Sequence, residues 1–250
     1  MNRLAILNDL MNPSLRRKLI IIALLFYWPT LFVLGHIPIP QLVYKAQVSD
    51  KTLHLVAYLI LVFLLWFAVS PDKKVNWGKA AVWWVFLITT GYGAVDELLQ
   101  KYTGRSCDIN DFLADMVGVA GGLILFSFLR FQPALLTVTG IVIFFLTNLA
   151  RANLAELVPV TNTMFHLFAY AIFTTLWIRQ IHPAALKMSR PKQLITALTV
   201  PAGLLLAVNL FSAISGRYFT LFDVIISVAG IAVATAGYVF ICPKCSRRIH

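Results

Sequence analysis

The chain has 250 residues, 60% of them hydrophobic and only 12% charged, against roughly 25% charged in an ordinary soluble domain. One bilayer crossing takes about 20 mostly apolar residues, so the composition excludes a soluble fold and leaves little chain for an aqueous domain. The formal charge of +11 would point to nucleic acid in a soluble protein, but in a polytopic membrane chain it reads first as the cationic bias of cytoplasmic loops, and no nucleic-acid partner is expected.

In chain order, a basic tail over 1–18 leads into apolar runs near 19–35, 52–70, 79–98, 112–130, 133–149, 162–180, 193–211 and 220–241, with a short basic tail over 242–250. Unpaired backbone groups cannot face lipid, so each run is expected to cross as a helix. The expected fold is all-α and polytopic, with eight transmembrane helices. The first run follows Arg16-Arg17-Lys18 like a secretory signal, but it is long and has no small-x-small cleavage site before Ile37, so it reads as an uncleaved helix. Alternate loops carry fifteen Lys and Arg with two acids on one side, and six Lys and Arg with eight acids on the other. This bias places both termini in the cytoplasm and the acidic chemistry at the outer face of a bacterial inner membrane.

The segment HLVAYLI from His54 recurs as HLFAYAI from His166, an offset of 112. The same offset relates Tyr58 to Tyr170, Gly104 to Gly216, Arg105 to Arg217, Asp111 to Asp223 and Gly118 to Gly230. Four spans separate equivalent positions, and an even number preserves orientation, so two parallel four-helix repeats are expected, over 19–130 and 131–241. Trp28, Trp77, Trp83, Trp84, Tyr218 and Tyr238 lie near span ends and read as interfacial aromatics. Gly118, Gly121 and Gly122 read as positions of close helix contact.

The candidate functional cluster is His54, Tyr58, Glu97, Gln100, Arg105, Asp108, Asp111 and Asp115, all near one end of spans two to four. His54 and Tyr58 share a helical face, as do Asp111 and Asp115, and carboxylates at a helix start gain from its positive end. In the second half His166, Tyr170, Arg217 and Asp223 remain, while Asn209, Ser212, Thr220 and Ser227 replace Glu97, Gln100, Asp108 and Asp115. The second set therefore reads as structural.

The first-half pattern resembles the VanZ-like family of bacterial envelope proteins. Its H-x-x-x-Y appears as His54 to Tyr58, its E-x-x-Q as Glu97 to Gln100, and its R, D and N-x-x-G as Arg105, Asp108, Asp111 and Asp115-Met-Val-Gly118. Asp115 stands where the family usually has Asn. The resemblance covers about 50–122 and implies a cell-envelope role linked to teicoplanin susceptibility, with no settled biochemical activity.

Charges in or near hydrocarbon are costly unless paired, which leaves several readings of the cluster. It could pin helices together, with Arg105 neutralising Asp108 or Asp111. It could bind an envelope lipid or glycan at the outer leaflet, with membrane lipids and a lipid-linked precursor as partners. With His54 as base and Glu97 as acid, it could be a proton-transfer pair on a lipid-linked substrate. A proton-coupled transporter ranks below these, because the acids gather at one end instead of continuing across. No cofactor is expected. One His among carboxylates is not a specific metal pattern, and none is assigned. Cys242 and Cys245 have the spacing of half a zinc knuckle, but His250 is the one added ligand candidate where a closed site needs four, so they read as reduced thiols; with Cys107 alone besides, there is no disulfide framework.

Overall fold

The computed structural model describes residues 13–36, 49–103, 107–150, 159–185, 188–215 and 220–241. Among them are eight α-helices and no strand. In chain order the helices are α1 (Pro13–His36), α2 (Asp50–Val69), α3 (Ala80–Gln100), α4 (Ile109–Phe128), α5 (Phe131–Ala150), α6 (Pro159–Ala185), α7 (Arg190–Ile214) and α8 (Leu221–Ile241). A 3₁₀ turn, Lys101–Thr103, closes α3. The protein is an all-α polytopic membrane protein.

Six helices are long and apolar enough to cross a membrane: α1, α2, α4, α5, α7 and α8. The others, α3 and α6, are 21 and 27 residues long, but polar side chains dilute them. In α3 these include Thr89, Thr90, Asp96, Glu97 and Gln100, all buried. Thr89 and Thr90 donate to the carbonyls of Val85 and Phe86 at 2.6 and 2.8 Å, so their hydroxyls are satisfied within the helix. In α6, Thr174 does the same to Tyr170 at 2.7 Å.

The described residues form two compact units, one running to Val138 and the other from Thr139, with the boundary inside α5. In the first unit α2 packs most extensively on α4, with α1 and α3 at its flanks. Leu61, Val62 and Phe67 of α2 and Val119, Leu123 and Phe126 of α4 are fully buried. In lipid, apolar burial alone does not drive this association, and close packing of small residues does. A methyl group at Gly118 would overlap the Leu55 carbonyl oxygen, and one at Gly122 would press on Val62 and Leu59, whereas Gly121 has nothing within 4 Å. Of the three glycines expected to allow helix contact, Gly121 does not, because it points off the α2 seam.

The end of the first unit remote from His54 is closed by Phe63, Phe67, Phe126 and Phe131, whose ring centroids lie 5.1–5.8 Å apart. Arg16 stacks over Phe131 at 4.9 Å and pairs with Asp72 at 3.5 Å. Arg17 Nε donates to the Ala68 carbonyl at 3.1 Å, tying α1 to the end of α2. Trp77, Trp83 and Trp84 are exposed around the start of α3. Trp28 differs, its ring packing edge-on against Tyr92 at 5.4 Å. Tyr218 lies outside the described residues.

In the second unit α6 packs most extensively on α8, with α7 against both. Gly230 meets the Leu167 carbonyl oxygen as Gly118 meets that of Leu55. These contacts are separated by 112 positions at both partners.

Candidate functional site

The site is assembled from the start of α2, the end of α3 and the start of α4. Asp50 and His54 lie one turn apart in the first turns of α2. Asp108 is the N-cap of α4: its backbone is extended, and its carboxylate accepts from the Asn110 backbone N–H at 2.9 Å and from the Asn110 amide at 2.8 Å. This cap satisfies an otherwise orphaned donor of the first turn. The Asn110 backbone N–H foremost, then its amide and the Lys51 ammonium, hold the Asp108 carboxyl below its ordinary range. Asp111 and Asp115 follow on one face of α4, both buried.

Around His54 the geometry is dense. Its Nδ1 lies 2.9 Å from Asp115 Oδ1 and 3.8 Å from Glu97 Oε1, and its Nε2 lies 3.9 Å from Asp50 Oδ1. Glu97 Oε2 accepts from the Asp108 backbone N–H at 3.2 Å, which joins the end of α3 to the cap of α4. Lys51 Nζ lies 3.3 Å from Asp108 Oδ2 and 3.7 Å from Asp111 Oδ1 at the exposed rim. Behind the cluster, Tyr58 is buried and stacks on Tyr92 with centroids 6.0 Å apart. Gly93 leaves the room for this: a methyl there would come within 3.0 Å of Asp115 Oδ2 and 3.3 Å of Tyr58 Cε1.

Several buried oxygens of the cluster lack a hydrogen-bond partner among the described residues: Glu97 Oε1, Asp111 Oδ1, Asp115 Oδ2 and the Tyr58 hydroxyl. Each is a costly arrangement in a low-dielectric interior. Such oxygens can receive hydroxyl or ammonium donors, a proton or a cation.

The structure thus brings together His54, Tyr58, Glu97, Asp108, Asp111 and Asp115. Gln100 turns aside, its amide donating to Asp96 Oδ2 at 3.2 Å. Arg105 lies outside the described residues, as does Arg217. Sequence reasoning missed Lys51 and the approach of His36 Nδ1 to Asp96 Oδ1 at 3.8 Å. The position of Lys51 next to Asp50, at the mouth of α2, was the available signal; nothing in the sequence aimed His36 at α3.

In the second unit the equivalent positions form a hydrogen-bonded network. Ser227 donates to the Asp223 carbonyl at 2.8 Å, so its oxygen is left to accept from His166 Nδ1–H at 3.0 Å. Asn162 donates its amide to Asp223 Oδ1 at 2.8 Å, where the first unit has Asp50 near Asp111. His166 and Tyr170 are buried and their rings are parallel to within 6°.

Residues 10–130 match the family model described as VanZ/LLP1. No curated protein and no solved structure matches the chain.

Proposed function

On the premise that the chain belongs to the VanZ-like family through residues 10–130, we propose that it is a bacterial inner-membrane protein whose first unit binds an envelope lipid or glycan at the outer leaflet. The observation that carries the reading is the set of buried oxygens on Glu97, Asp111, Asp115 and Tyr58 that make no hydrogen bond among the described residues, Asp111 having only its longer ion pair to Lys51. A hydroxyl-rich sugar on a lipid-linked precursor would supply several donors at once, and each hydrogen bond to a charged acceptor is of the stronger kind. Both termini face the cytoplasm in this reading, and the binding cluster faces out. The two units are divergent copies, the second retained for the fold. Altered susceptibility to teicoplanin is the expected cellular consequence.

A second reading is favoured by one contact. The 2.9 Å approach of His54 Nδ1 to Asp115 Oδ1, with Glu97 Oε1 at 3.8 Å, has the parts of an acid/base pair held by an orienting carboxylate. An enzyme acting on the same lipid-linked substrate would use it.

Lipid mass spectrometry on the purified protein tests the first reading. A specific envelope lipid should co-purify with the wild type and be depleted in Glu97→Gln; bulk phospholipid alone in both would refute it. Chemical conversion of the lipid, abolished by His54→Ala in protein that stays folded, would favour the enzyme. Loss of phenotype in proportion to lost thermal stability would instead mark the cluster as a helix-pinning device.

A further inference from the structure

We propose that His54, Glu97 and Asp115 form a site for one divalent transition-metal cation of the Zn²⁺ or Mn²⁺ type. The inference goes beyond the lipid reading and does not depend on it. One nitrogen of His54 and one oxygen each of Glu97 and Asp115 lie within 4.8 Å of one another, and all three side chains are buried. Metal–donor bonds of about 2.0–2.2 Å in tetrahedral geometry set neighbouring donors roughly 3.3–3.6 Å apart. The separations from His54 Nδ1, 2.9 Å to Asp115 Oδ1 and 3.8 Å to Glu97 Oε1, flank that range, and the two carboxylates lie within 4.8 Å of each other.

Acidic proximity alone would not identify a metal site. The second observation is that Glu97 Oε1 and Asp115 Oδ2 are buried without any hydrogen-bond donor among the described residues, on side chains 3% and 0% exposed. Glu97 Oε2 is already held by the Asp108 backbone N–H, which fixes the carboxylate and leaves Oε1 turned toward His54. A cation would neutralise both carboxylates with a neutral imidazole as third ligand. His54 would then bind through Nδ1, and its Nε2–H would face Asp50 Oδ1, now at 3.9 Å. A carboxylate behind a metal-bound imidazole is the usual orienting partner of such a ligand. Three protein ligands leave at least one position open to water or to a ligand oxygen.

The second unit provides an internal control. Asn209 and Ser227 stand where Glu97 and Asp115 stand in the first, and the Nδ1 of His166 is engaged by Ser227. Both anionic ligands are missing, so the full chain should bind one cation and not two. Asp115 is also the position at which this chain departs from the Asn of the VanZ-like pattern, which makes the third ligand a property of this chain.

The test uses full-length protein in detergent with Cys242→Ser and Cys245→Ser, which removes thiols that could hold zinc. After chelator treatment and exchange into chelator-free buffer, Zn²⁺ and Mn²⁺ are titrated, with bound metal counted by elemental mass spectrometry. One equivalent should bind, with a rise in thermal midpoint. Binding should be lost in Glu97→Gln and Asp115→Asn, kept in Asp223→Asn, and weakened roughly tenfold or more in Asp50→Asn. Pulsed electron paramagnetic resonance of the Mn²⁺ form should report coupling to one imidazole nitrogen, a readout that needs no variant to fold. Absence of stoichiometric binding, unchanged binding in both ligand variants, or bound Mn²⁺ without imidazole coupling would each overturn the site. A negative lipid result would leave all of these readouts unaffected.

Discussion

Asp108 does three jobs with one residue. Its carboxylate caps α4, its backbone N–H holds Glu97 Oε2, and its second oxygen meets Lys51. Removing an Asp cap leaves a first-turn N–H donor without its partner, so Asp108→Ala should lower the thermal midpoint in detergent. The Glu97 anchor should survive, because the backbone donor is unchanged. The pH dependence has a definite sign. The Asp108 carboxyl titrates below its ordinary value in the folded protein, so its stabilising contribution is fully present above the unfolded value and fades as pH falls through the lower folded one. Unfolding curves at decreasing pH should show an acid-side loss that is smaller in Asp108→Ala; equal acid sensitivity would refute the role. Several of these positions were legible from spacing alone. The pairs 54 and 58, and 111 and 115, share faces on any helix, and a short connection forces the end of α3 beside the start of α4. His36 and Gly93 were not legible as partners, because their contacts depend on how far neighbouring helices approach and at what rotation.

Between elements, the controlling feature is the α2–α4 seam. Gly118 meets the backbone of Leu55, which cannot move without the helix, whereas Gly122 meets the ends of side chains and Gly121 meets nothing. Overpacking a seam of this kind costs about 1–3 kcal/mol, and Gly to Ala in an unconstrained helix interior gains about 0.5–1 kcal/mol. Gly118→Ala should therefore lower the midpoint of thermal unfolding and Gly121→Ala leave it level or raise it slightly. Equal effects would mean that the seam does not run through Gly118. The sequence marked all three glycines alike because a helical wheel spreads positions 118, 121 and 122 over one broad face. Only the rotation of α4 against α2 separates them. The helices themselves were legible throughout, since an apolar run of span length has one hydrogen-bonded solution in lipid. The spans α3 and α6 are weaker because polar side chains are spread along them, such as Thr89, Thr90, Asp96, Glu97 and Gln100 in α3.

At the scale of the whole molecule, two questions remain open to test, and the first is orientation. Reporter fusions within 36–50 and 151–160 should register outside, and those within 71–78 and 182–192 inside, if the fifteen-to-six division of basic residues sets the topology. The reverse pattern would move the acidic cluster to the cytoplasmic face and remove any envelope ligand from its reach.

The second question is what each unit contributes. The offset of 112 was visible as repeated letters, and within each unit the same offset relates a glycine to a carbonyl and a histidine to the residue opposite it. What the letters alone could not convey is how the chemistry differs at equivalent places. In the second unit Asn162 donates to Asp223 Oδ1, while Ser227 accepts from His166 and Thr220 accepts from the Asp223 backbone N–H, so the network is closed around the Asp223 carboxylate. In the first, Glu97 Oε1 and Asp115 Oδ2 are buried with no hydrogen-bond partner among the described residues. Removing charge from a closed network takes away a partner and leaves a buried group unpaired, which is strongly destabilising. Removing it from an open one relieves an uncompensated charge and should cost the fold little. Asp223→Asn should thus reduce abundance and thermal stability while the folded fraction keeps its binding. Glu97→Gln should do the opposite, abolishing binding in protein that accumulates normally. Expression level, thermal midpoint and co-purified ligand, measured together on both variants, decide the matter. If Asp223→Asn eliminates binding at unchanged protein level, the division of labour between the two units is wrong.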